Sequence, residues 1–385
     1  MSDQRAFVGL KVLDVSRVLA SPFAAYQLAL LGADVIKVED PGRGDQIRYR
    51  VYNRPDLGNS GMATAFLSQN ANKKSLTLNL RTLEGQEIFR KLASTADVII
   101  ENMRSGTMIR YGLGYQDLRK LNPRLIYCSV TGYGQTGRKQ RHPAYDPVTQ
   151  AASGMMSFNG TPETAPVKLG PPIIDYGTGL SAALGLVIAL YQRERTGIGQ
   201  HVDISMLDAA LTLMSSLVSD VLTAGRAPIA SGNKNRSPEN YSNGSFQCAD
   251  RLLAIAAQEE HQRRNMWKAI GREDITLDPR FSTPQACEKN IDTLHAELET
   301  TLKTKTAREW EDILNESGVP AMAVRTLPEI LQEDIVRERG FLHTFDKVEG
   351  IKGSVTVPLS PFKLGVGPSS AETPPPFLGQ QFGPA

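Results

Sequence analysis

The stretch Lys11–Asp40, "KVLDVSRVLASPFAAYQLALLGADVIKVED", decides the fold class of this chain. Its first residues, "KVLDV", predict a short buried strand, Lys11–Val15. Ser21 and Pro22 then have the chemistry of a helix N-cap and a first helical position, and the apolar run after them predicts a helix that ends at Gly32. The last residues, "DVIKVED", predict a second strand. Together these elements predict a βαβ unit, with parallel strands and a right-handed crossover.

The same alternation of strand and helix patterns continues to about residue 224. A strand followed by a helix is also expected around Asp175, within "GPPIIDYGTG" (Gly170–Gly179). This alternation is typical of the α/β class and predicts a large Rossmann-like domain, with a mostly parallel sheet covered by helices on both faces. The remaining strands are predicted at Ser75–Leu80, Ala96–Asn102, Arg124–Gly134 and His201–Met206.

The composition changes after residue 224. The segment "GRAPIASGNKNRSPENYSNGS" is rich in Gly, Ser, Asn and Pro and predicts a linker or loop. Phe246–Thr326 contains one short strand pattern, "LLAIAA", and several amphipathic helix patterns, which predict a smaller α+β domain. The predicted division is therefore a large domain at 1–224, a small domain with its preceding linker at 225–326, and a C-terminal part at 327–385.

The balance of charges excludes some classes of partner. The chain of 385 residues has 43 Lys and Arg against 41 Asp and Glu, a net charge of +2, so neither nucleic acid nor an anionic membrane is expected as the main partner. The N-terminal residues lack a secretory pattern, and the longest apolar stretch, Leu180–Tyr191, is shorter than a bilayer span. The three cysteines and five histidines show no metal-ligand spacing, which favours a cytoplasmic protein without disulfides or metal.

The ligand-binding signals of the first half are weaker. Glu39 and Asp40 end the second strand, where a dinucleotide-binding fold places an acid, but the first turn, "SRVLASPF", lacks the glycines of that motif, so classical NAD binding is disfavoured. Arg81, Asn102 and Arg104 follow strand ends, where guanidinium groups suit a phosphorylated ligand; the alternative is a set of solvated surface residues. The loop "SVTGYGQTG" either offers N–H groups to an anion or is a tight turn.

Asp175 has two interpretations that the residues alone leave open. Asp is a preferred N-cap, and a helix pattern starts near it. Alternatively, an ionised and partly desolvated carboxylate can attack an acyl centre, and Gly177 and Gly179 would let a bulky reacting group approach the backbone.

Several motifs, in order along nearly the whole chain, resemble those of class III CoA-transferases, the CaiB/BaiF type that includes formyl-CoA:oxalate and carnitine CoA-transferases. They are the opening stretch up to "VEDPGRGDQIR", then "NANKKSLTLNLRTLEG", "ADVIIENMRSG", "LNPRLIYCSVTGYGQTG", "AYDPVTQAASG", "DYGTG", "RERTGIGQHVDISMLDAAL", "ESGVPAMAVRTLPEI" and "PPPFLGQ".

The resemblance implies that Asp175 is a nucleophile that takes CoA from an acyl-CoA donor and passes it to a small carboxylic acid, through an aspartyl anhydride and an aspartyl-CoA thioester. It implies no cofactor beyond CoA itself. Asp40 departs from the pattern, because some relatives have an arginine near the adenine end. By position, the implied CoA contacts are Val18, Leu19, Leu78, Arg81, Asn102, Met103, Arg104, Arg110 and Tyr145.

The resemblance also implies an interlocked homodimer of two ring-like chains, in which 327–385 returns to the large domain. Two other functions stay open: a 2-methylacyl-CoA racemase, and a CoA-binding protein without turnover. The racemases carry a histidine where this chain has Tyr145, and a tyrosine hydroxyl is a poor base near neutral pH, which favours the transferase. In the loop 232–245, Lys234, Arg236 and Asn240 either meet the acceptor carboxylate or are solvated.

Overall fold

A computed structural model describes residues 4–51, 54–233 and 241–381. The strands are β1 Lys11–Asp14, β2 Asp34–Glu39, β3 Lys73–Thr77, β4 Val98–Glu101, β5 Ile126–Thr131, β6 His201–Ser205, β7 Asn243–Gln247, β8 Leu252–Ala256, β9 Ala321–Ala323, β10 Leu342–Phe345 and β11 Val355–Pro358. The α-helices are α1 Ala20–Leu30, α2 Pro55–Asn59, α3 Thr64–Leu67, α4 Leu83–Ala93, α5 Thr107–Arg110, α6 Tyr115–Leu118, α7 Asp146–Ala152, α8 Ile173–Thr196, α9 Met206–Leu213, α10 Ser215–Ser219, α11 Glu260–Ala269, α12 Pro284–Lys289, α13 Ile291–Leu302, α14 Ala307–Glu316, α15 Leu327–Gln332 and α16 Asp334–Arg339. Short helical segments of other types lie at Gln46–Tyr49, Met155–Phe158, Asp220–Ala224, Glu273–Leu277 and Pro279–Phe281.

The central sheet has six strands in the order β3-β2-β1-β4-β5-β6, and every pair is parallel. In β1, Leu13 pairs with Ile36 of β2 on one side and with Ile99 of β4 on the other. The direction of strand addition reverses between β1 and β4, and ligands of such sheets bind beyond the carboxyl ends of the strands at this point. The predicted α/β, Rossmann-like class is confirmed.

Helix α1 packs between the sheet and α8 and is buried on nearly all sides. Its small residues, including Ala24 and Ala25, lie in one apolar cluster with Ala182 and Leu186 of α8 and with Val12 of β1. Small side chains on both helices allow this close packing, and the helix therefore needs no polar face.

Two predicted strand positions were wrong. β3 starts at Lys73, two residues before the predicted start, and the Lys73 Nζ is buried 2.9 Å from Asp14 Oδ2. A lysine in a buried strand has no local signal, because its charge is satisfied by a residue distant in the sequence. No strand precedes Asp175, since Ile173 already begins α8.

The longest apolar stretch was expected to be shorter than a bilayer span, and helix α8 corrects this. Its 24 residues are long and apolar enough to cross a membrane. The bent pair of Met206–Leu213 and Ser215–Ala224 meets the same criteria only if it is counted as one span. Half of the apolar window of α8 is buried against its own chain, as in the core helix of a globular domain, and α1 packs along it.

The chain divides into two compact units. The larger contains residues 1–155, 168–226 and 334–385, so both chain ends contribute to it. The hairpin of β10 and β11 belongs to this unit, where the Tyr26 hydroxyl donates to the Pro358 carbonyl at 2.7 Å.

The smaller unit contains residues 156–167 and 227–333, and the first of these segments had been assigned to the large domain from sequence. Its sheet is antiparallel in the order β7-β8-β9, over a core that includes Trp267 and Trp310. Lys234, Arg236 and Asn240 lie outside the described residues.

Candidate active site

Two cavities lie beyond the carboxyl ends of the central strands. The first, the Asp175 cavity, has a volume of about 370 Å³. Its walls are residues 17–20, 44, 46, 102–105, 130–132, 140, 142–145, 175 and 206. The second, the Arg81 cavity, has about 380 Å³ and is lined by residues 15, 17, 38–40, 78–81, 103, 104, 107 and 111. Arg17, Met103 and Arg104 line both cavities, so the two are neighbours along the same edge of the sheet.

Asp175 is the third residue of α8 and is not the N-cap. The helix begins after Pro172, whose side chain cannot cap it. The orphan N–H groups of Ile174 and Asp175 instead donate to Asp146 Oδ2, at 2.7 and 3.1 Å. The capping interpretation of Asp175 is therefore wrong, and its carboxylate lines the cavity with 8% of the residue exposed.

The Asp146 side chain is held in place by a hydrogen bond from Gln150. It is buried at the start of α7, where its Oδ1 accepts a hydrogen bond from Gln150 Nε2 at 2.6 Å. Gln150 Oε1 in turn accepts the N–H of Leu169 at 2.8 Å. The segment that leads into α8 is thus hydrogen-bonded to the Asp146 and Gln150 side chains of α7. These bonds fix the position of Asp175.

The pKa of Asp175 is raised to about 7. Burial is the largest cause, because it disfavours the charged form, and the negative charge of Asp146 adds to it. Arg50 opposes both effects. A carboxylate in this environment is poorly solvated and holds its proton to higher pH than an ordinary aspartate, which suits either nucleophilic attack or proton transfer.

Gly177 and Gly179 serve helix packing. A Cβ on Gly179 would lie 2.6 Å from the carbonyl oxygen of Ala20, and one on Gly177 would lie 2.8 Å from Leu213 Cδ1. Both positions face neighbouring helices, so the expectation that these glycines admit a reacting group is wrong. They allow α8 to approach α1 and α9 closely, which in turn brings the start of α8 to the cavity.

Asn102 binds the first loop of the fold through its side chain. Its Oδ1 accepts the N–H of Arg17 at 2.9 Å, and its Nδ2 donates to the Arg17 carbonyl at 2.7 Å. Asn102 therefore holds the wall that contains Val18 and Leu19, and both of these residues line the Asp175 cavity. Asn102 lines the cavity as well, but its amide already has two partners.

Two of the three arginines predicted to contact CoA, Arg81 and Arg104, line the Arg81 cavity. Leu78 and Arg81 follow β3 and line this cavity together with Met103 and Arg104. The guanidinium of Arg81 is 72% exposed and lies 3.5 Å from the carboxylate of Asp40. Because Arg81 already has an acidic neighbour, a bound anion must compete with Asp40 for it.

Of the two remaining predicted CoA contacts, Tyr145 lines a cavity and Arg110 does not. Tyr145 lines the Asp175 cavity and is 54% exposed, with its hydroxyl 3.4 Å from the donor Gln46 Nε2. Arg110 is exposed at the end of α5, where its Nη2 donates to Thr107 Oγ1 at 3.2 Å, and it lines neither cavity.

The end of β5 and the first residue of the glycine-rich loop after it line the Asp175 cavity, at residues 130–132. A Cβ on Gly132 would lie 2.3 Å from that of Ala144, so only glycine allows these two walls to meet. The N–H of Gln135, in the same loop, donates to both carboxylate oxygens of Asp203. At least one of the N–H groups that the sequence offered to an anion is therefore already paired.

Sequence reasoning missed Arg17, Gln46, His142 and Asp146 as parts of the site. Arg17 lines both cavities, and Gln46 and His142 line the Asp175 cavity. Asp146 precedes a proline within "AYDPVTQAASG", a typical helix start, which was the one local signal for it. Within residues 4–51, 54–233 and 241–381, no group of three His, Cys, Asp or Glu side chains is placed to hold a metal ion.

Comparison with known proteins defines the class. The sequence matches CoA-transferase family III over residues 7–382. It is 38% identical to the acetyl-CoA:oxalate CoA-transferase of Acetobacter aceti, over 82% of this chain and 79% of that protein. It is 34% identical to the succinate–glutarate CoA-transferase of Agrobacterium fabrum, over 97% of this chain and 92% of that protein. A crystal structure of a CAIB/BAIF family protein from Brucella suis superposes with a TM-score of 0.84 at 32% identity, covering 98% and 97% of the two chains.

The chain therefore belongs to CoA-transferase family III. It is an enzyme of the CoA-transferase class, whose substrates are CoA thioesters and carboxylates.

Proposed function

We propose that this enzyme transfers CoA from an acyl-CoA donor to a small carboxylic acid, with Asp175 as the covalent nucleophile. The observation that carries the proposal is the position of Asp175: a buried carboxylate with a raised pKa, at the wall of a cavity that adjoins a second, arginine-containing cavity. The second cavity suits the phosphates of CoA, and the first suits the thioester.

The first half of the reaction transfers CoA to the protein. The Asp175 carboxylate attacks the thioester carbonyl, the C–S bond breaks, and CoA leaves as a thiolate while an aspartyl–acyl anhydride forms. The thiolate then attacks the aspartyl carbonyl of the anhydride and releases the donor as a free carboxylate. The product is an aspartyl-CoA thioester. The difficult exchange is thus divided into two easier steps, and the free energy of the thioester bond is not lost to hydrolysis.

The second half repeats these steps in reverse order. The acceptor carboxylate attacks the aspartyl thioester and expels CoA thiolate, which then attacks the acceptor carbonyl. A new acyl-CoA leaves, and the Asp175 carboxylate is regenerated. Water must be kept from the anhydrides, and the burial of Asp175 at the start of α8 favours this.

The names of the relatives support a class of acceptor. The Acetobacter and Agrobacterium enzymes are named for oxalate and for succinate and glutarate, which are small dicarboxylic acids. We therefore propose a small mono- or dicarboxylic acid as the acceptor, and no cofactor beyond CoA takes part in the steps above.

A protein that only binds CoA would have no use for a buried carboxylate beside the thioester, which disfavours that alternative.

A racemase acting on 2-methylacyl-CoA is the second candidate, because His142 lines the same cavity as Asp175. An imidazole and a carboxylate can exchange the proton at the α-carbon of an acyl-CoA between them. Tyr145 occupies the position that the racemase histidine has by resemblance, and it disfavours this function.

One experiment separates the two functions. The enzyme is incubated in D₂O with succinyl-, acetyl- or (2R)-methylacyl-CoA and a panel of small acids, and the products are read by mass spectrometry. We expect new acyl-CoA that depends on the added acid, without deuterium at the α-carbon. Rapid deuterium incorporation without CoA transfer would overturn the proposal in favour of the racemase.

We further propose that the enzyme is an interlocked homodimer. The large unit is built from both chain ends, with residues 227–333 between them, which is the connectivity that threading requires. On α8, a stripe of apolar side chains at helical spacing is exposed in the single chain: Leu180, Leu184, Val187, Ile188 and Tyr191. A stripe of this length is typical of a surface that a partner covers, and a second copy is the partner proposed.

Dilution should not yield folded monomer, because linked chains separate only after partial unfolding. We expect a single dimeric species in sedimentation velocity runs from micromolar to nanomolar concentration, with circular dichroism unchanged. A reversible monomer–dimer equilibrium with folded monomer would contradict the interlock, although it would leave the proposed chemistry intact.

A further inference from the structure

The loop between β1 and α1 is strained where it lines the Asp175 cavity. Val18 has φ +69°, in the left-handed region that a β-branched residue rarely occupies. Among the described residues, the other non-glycine residue with positive φ is Asn72, a residue type that tolerates it. A strained backbone of this kind persists only when its surroundings determine it strongly.

Asp45 supplies the main restraint. Its two carboxylate oxygens both accept the N–H of Val18, each at 3.1 Å, and Oδ1 also accepts the N–H of Ile47 at 3.1 Å. Gln69 Nε2 donates to the Val18 carbonyl at 2.7 Å, so both polar groups of the strained residue have partners. The neighbours of Asp45, Gly44 and Gln46, line the cavity, whereas Asp45 itself is buried behind its wall.

Lys37 forms a buried ion pair with Asp45. Its Nζ is buried 3.2 Å from Asp45 Oδ2 and donates to the Ser16 carbonyl at 2.9 Å. Burial opposes its charge, but the carboxylates of Asp14, Asp45 and Glu39 hold the pKa of Lys37 above its ordinary value. An ionised Asp45 without this cation would be costly to bury. The ion pair of Lys37 and Asp45 thus binds the Ser16 carbonyl and the Val18 N–H together.

We propose that Asp45 is a positioning residue for CoA transfer, whose carboxylate holds the Val18 peptide so that the cavity wall at 17–20 has its binding shape before acyl-CoA arrives. The inference rests on the proposed function, because it takes the Asp175 cavity to be the acyl-CoA site. A wall that is already ordered binds without the entropy loss of ordering a loop. Asp45 acts through Val18 and does not touch the substrate.

A double-mutant cycle tests the proposal. Asp45→Asn keeps one carbonyl oxygen but loses the charge and the second acceptor, so we expect the KM for acyl-CoA to rise about tenfold while kcat falls by less than about threefold. In the Val18→Gly background, the same change should raise KM by less than about threefold, because glycine adopts this φ without strain. Binding of CoA alone, by calorimetry, should follow the same pattern.

Asp97→Asn is the matched control. Asp97 accepts the N–H of Lys11 at 2.9 Å and pairs with Arg193 at 3.0 Å, at the amino-terminal edge of the same sheet. It should lower the unfolding midpoint without changing KM. If Asp45→Asn does not fold, Gln69→Leu removes the bond to the Val18 carbonyl and should show the same dependence on Val18→Gly.

Two results would overturn the inference: an unchanged KM in Asp45→Asn, or an equal rise in KM with and without Val18→Gly. Either result, obtained while the wild-type enzyme transfers CoA, leaves the proposed function standing. A wild-type enzyme that transfers no CoA to any acid would instead count against the proposed function itself.

Discussion

Asp175→Asn is expected to reduce the rate of CoA transfer by about 10⁴-fold or more, the scale seen when a covalent nucleophile is removed. The change keeps the shape of the side chain and removes the attacking carboxylate. It should leave the fold intact, because Asp146, rather than Asp175, caps α8. The affinity for CoA should change little, since the substitution leaves every arginine of the two cavities in place and Arg81 lies in the second cavity, away from Asp175. Steady-state kinetics and calorimetry with CoA measure the two effects separately.

Asp208→Asn provides a matched control for this prediction. Asp208 is the third residue of α9, as Asp175 is of α8, and it lies outside the cavity walls. It should keep near-normal turnover. Incubation of the wild-type enzyme with acyl-CoA followed by hydroxylamine should give a hydroxamate at Asp175. Near-normal turnover in Asp175→Asn, or an adduct on another residue, would refute the nucleophile assignment.

The parts of the fold that could be predicted from the sequence are those with local signals. The βαβ unit at the N-terminus is predicted from apolar strands and a glycine stop, and it is found as β1, α1 and β2. The predicted N-cap at Ser21 is wrong, because α1 begins at Ala20 after Leu19, and Ser21 and Pro22 lie within its first turn. The sheet order then follows the usual rule for such units. These elements were predictable because each depends on residues near to it in the sequence.

The missed features depend on residues that are distant in the sequence. The start of α8 was placed too late, because its cap acceptor, Asp146, is 28 residues before Ile174. The sequence places Asn102 at a strand end but does not show that its amide also binds the backbone of Arg17, 85 residues earlier. The sequence also does not show that Gly177 and Gly179 face α9 and α1, because those helices are distant from them in the chain. A local sequence pattern can single out a polar or small residue, but its role depends on neighbours that only the tertiary structure shows.

The capping arrangement has a chemical consequence beyond position. The same Asp146 carboxylate that orders the first turn of α8 also raises the pKa of Asp175, second only to burial. The two roles can be separated by substitution, because an amide keeps a hydrogen-bond acceptor but not a negative charge. Asp146 is therefore the residue whose variants most directly report how the nucleophile is held and tuned.

Asp146→Ala is expected to lower kcat/KM by about 100-fold, because the N–H groups of Ile174 and Asp175 lose their acceptor and the carboxylate moves from its place. Asp146→Asn should lose less than about tenfold, since its carbonyl oxygen can still accept from the helix start. The pH profile gives the second reading. The wild-type kcat/KM should fall as the pH drops below about 7, where Asp175 becomes protonated.

The sign of the shift in Asp146→Asn follows from electrostatics. The negative charge at Asp146 favours the protonated form of Asp175, so its removal lowers the pKa of Asp175, and the acid limb of the profile should move to lower pH. Gln150→Leu is the control, because it removes the 2.6 Å hydrogen bond to Asp146 without changing any charge. It should reduce activity without moving the limb. Profiles from pH 5 to 9 that coincide for the wild type and Asp146→Asn would contradict the coupling and leave Asp146 with a purely structural role.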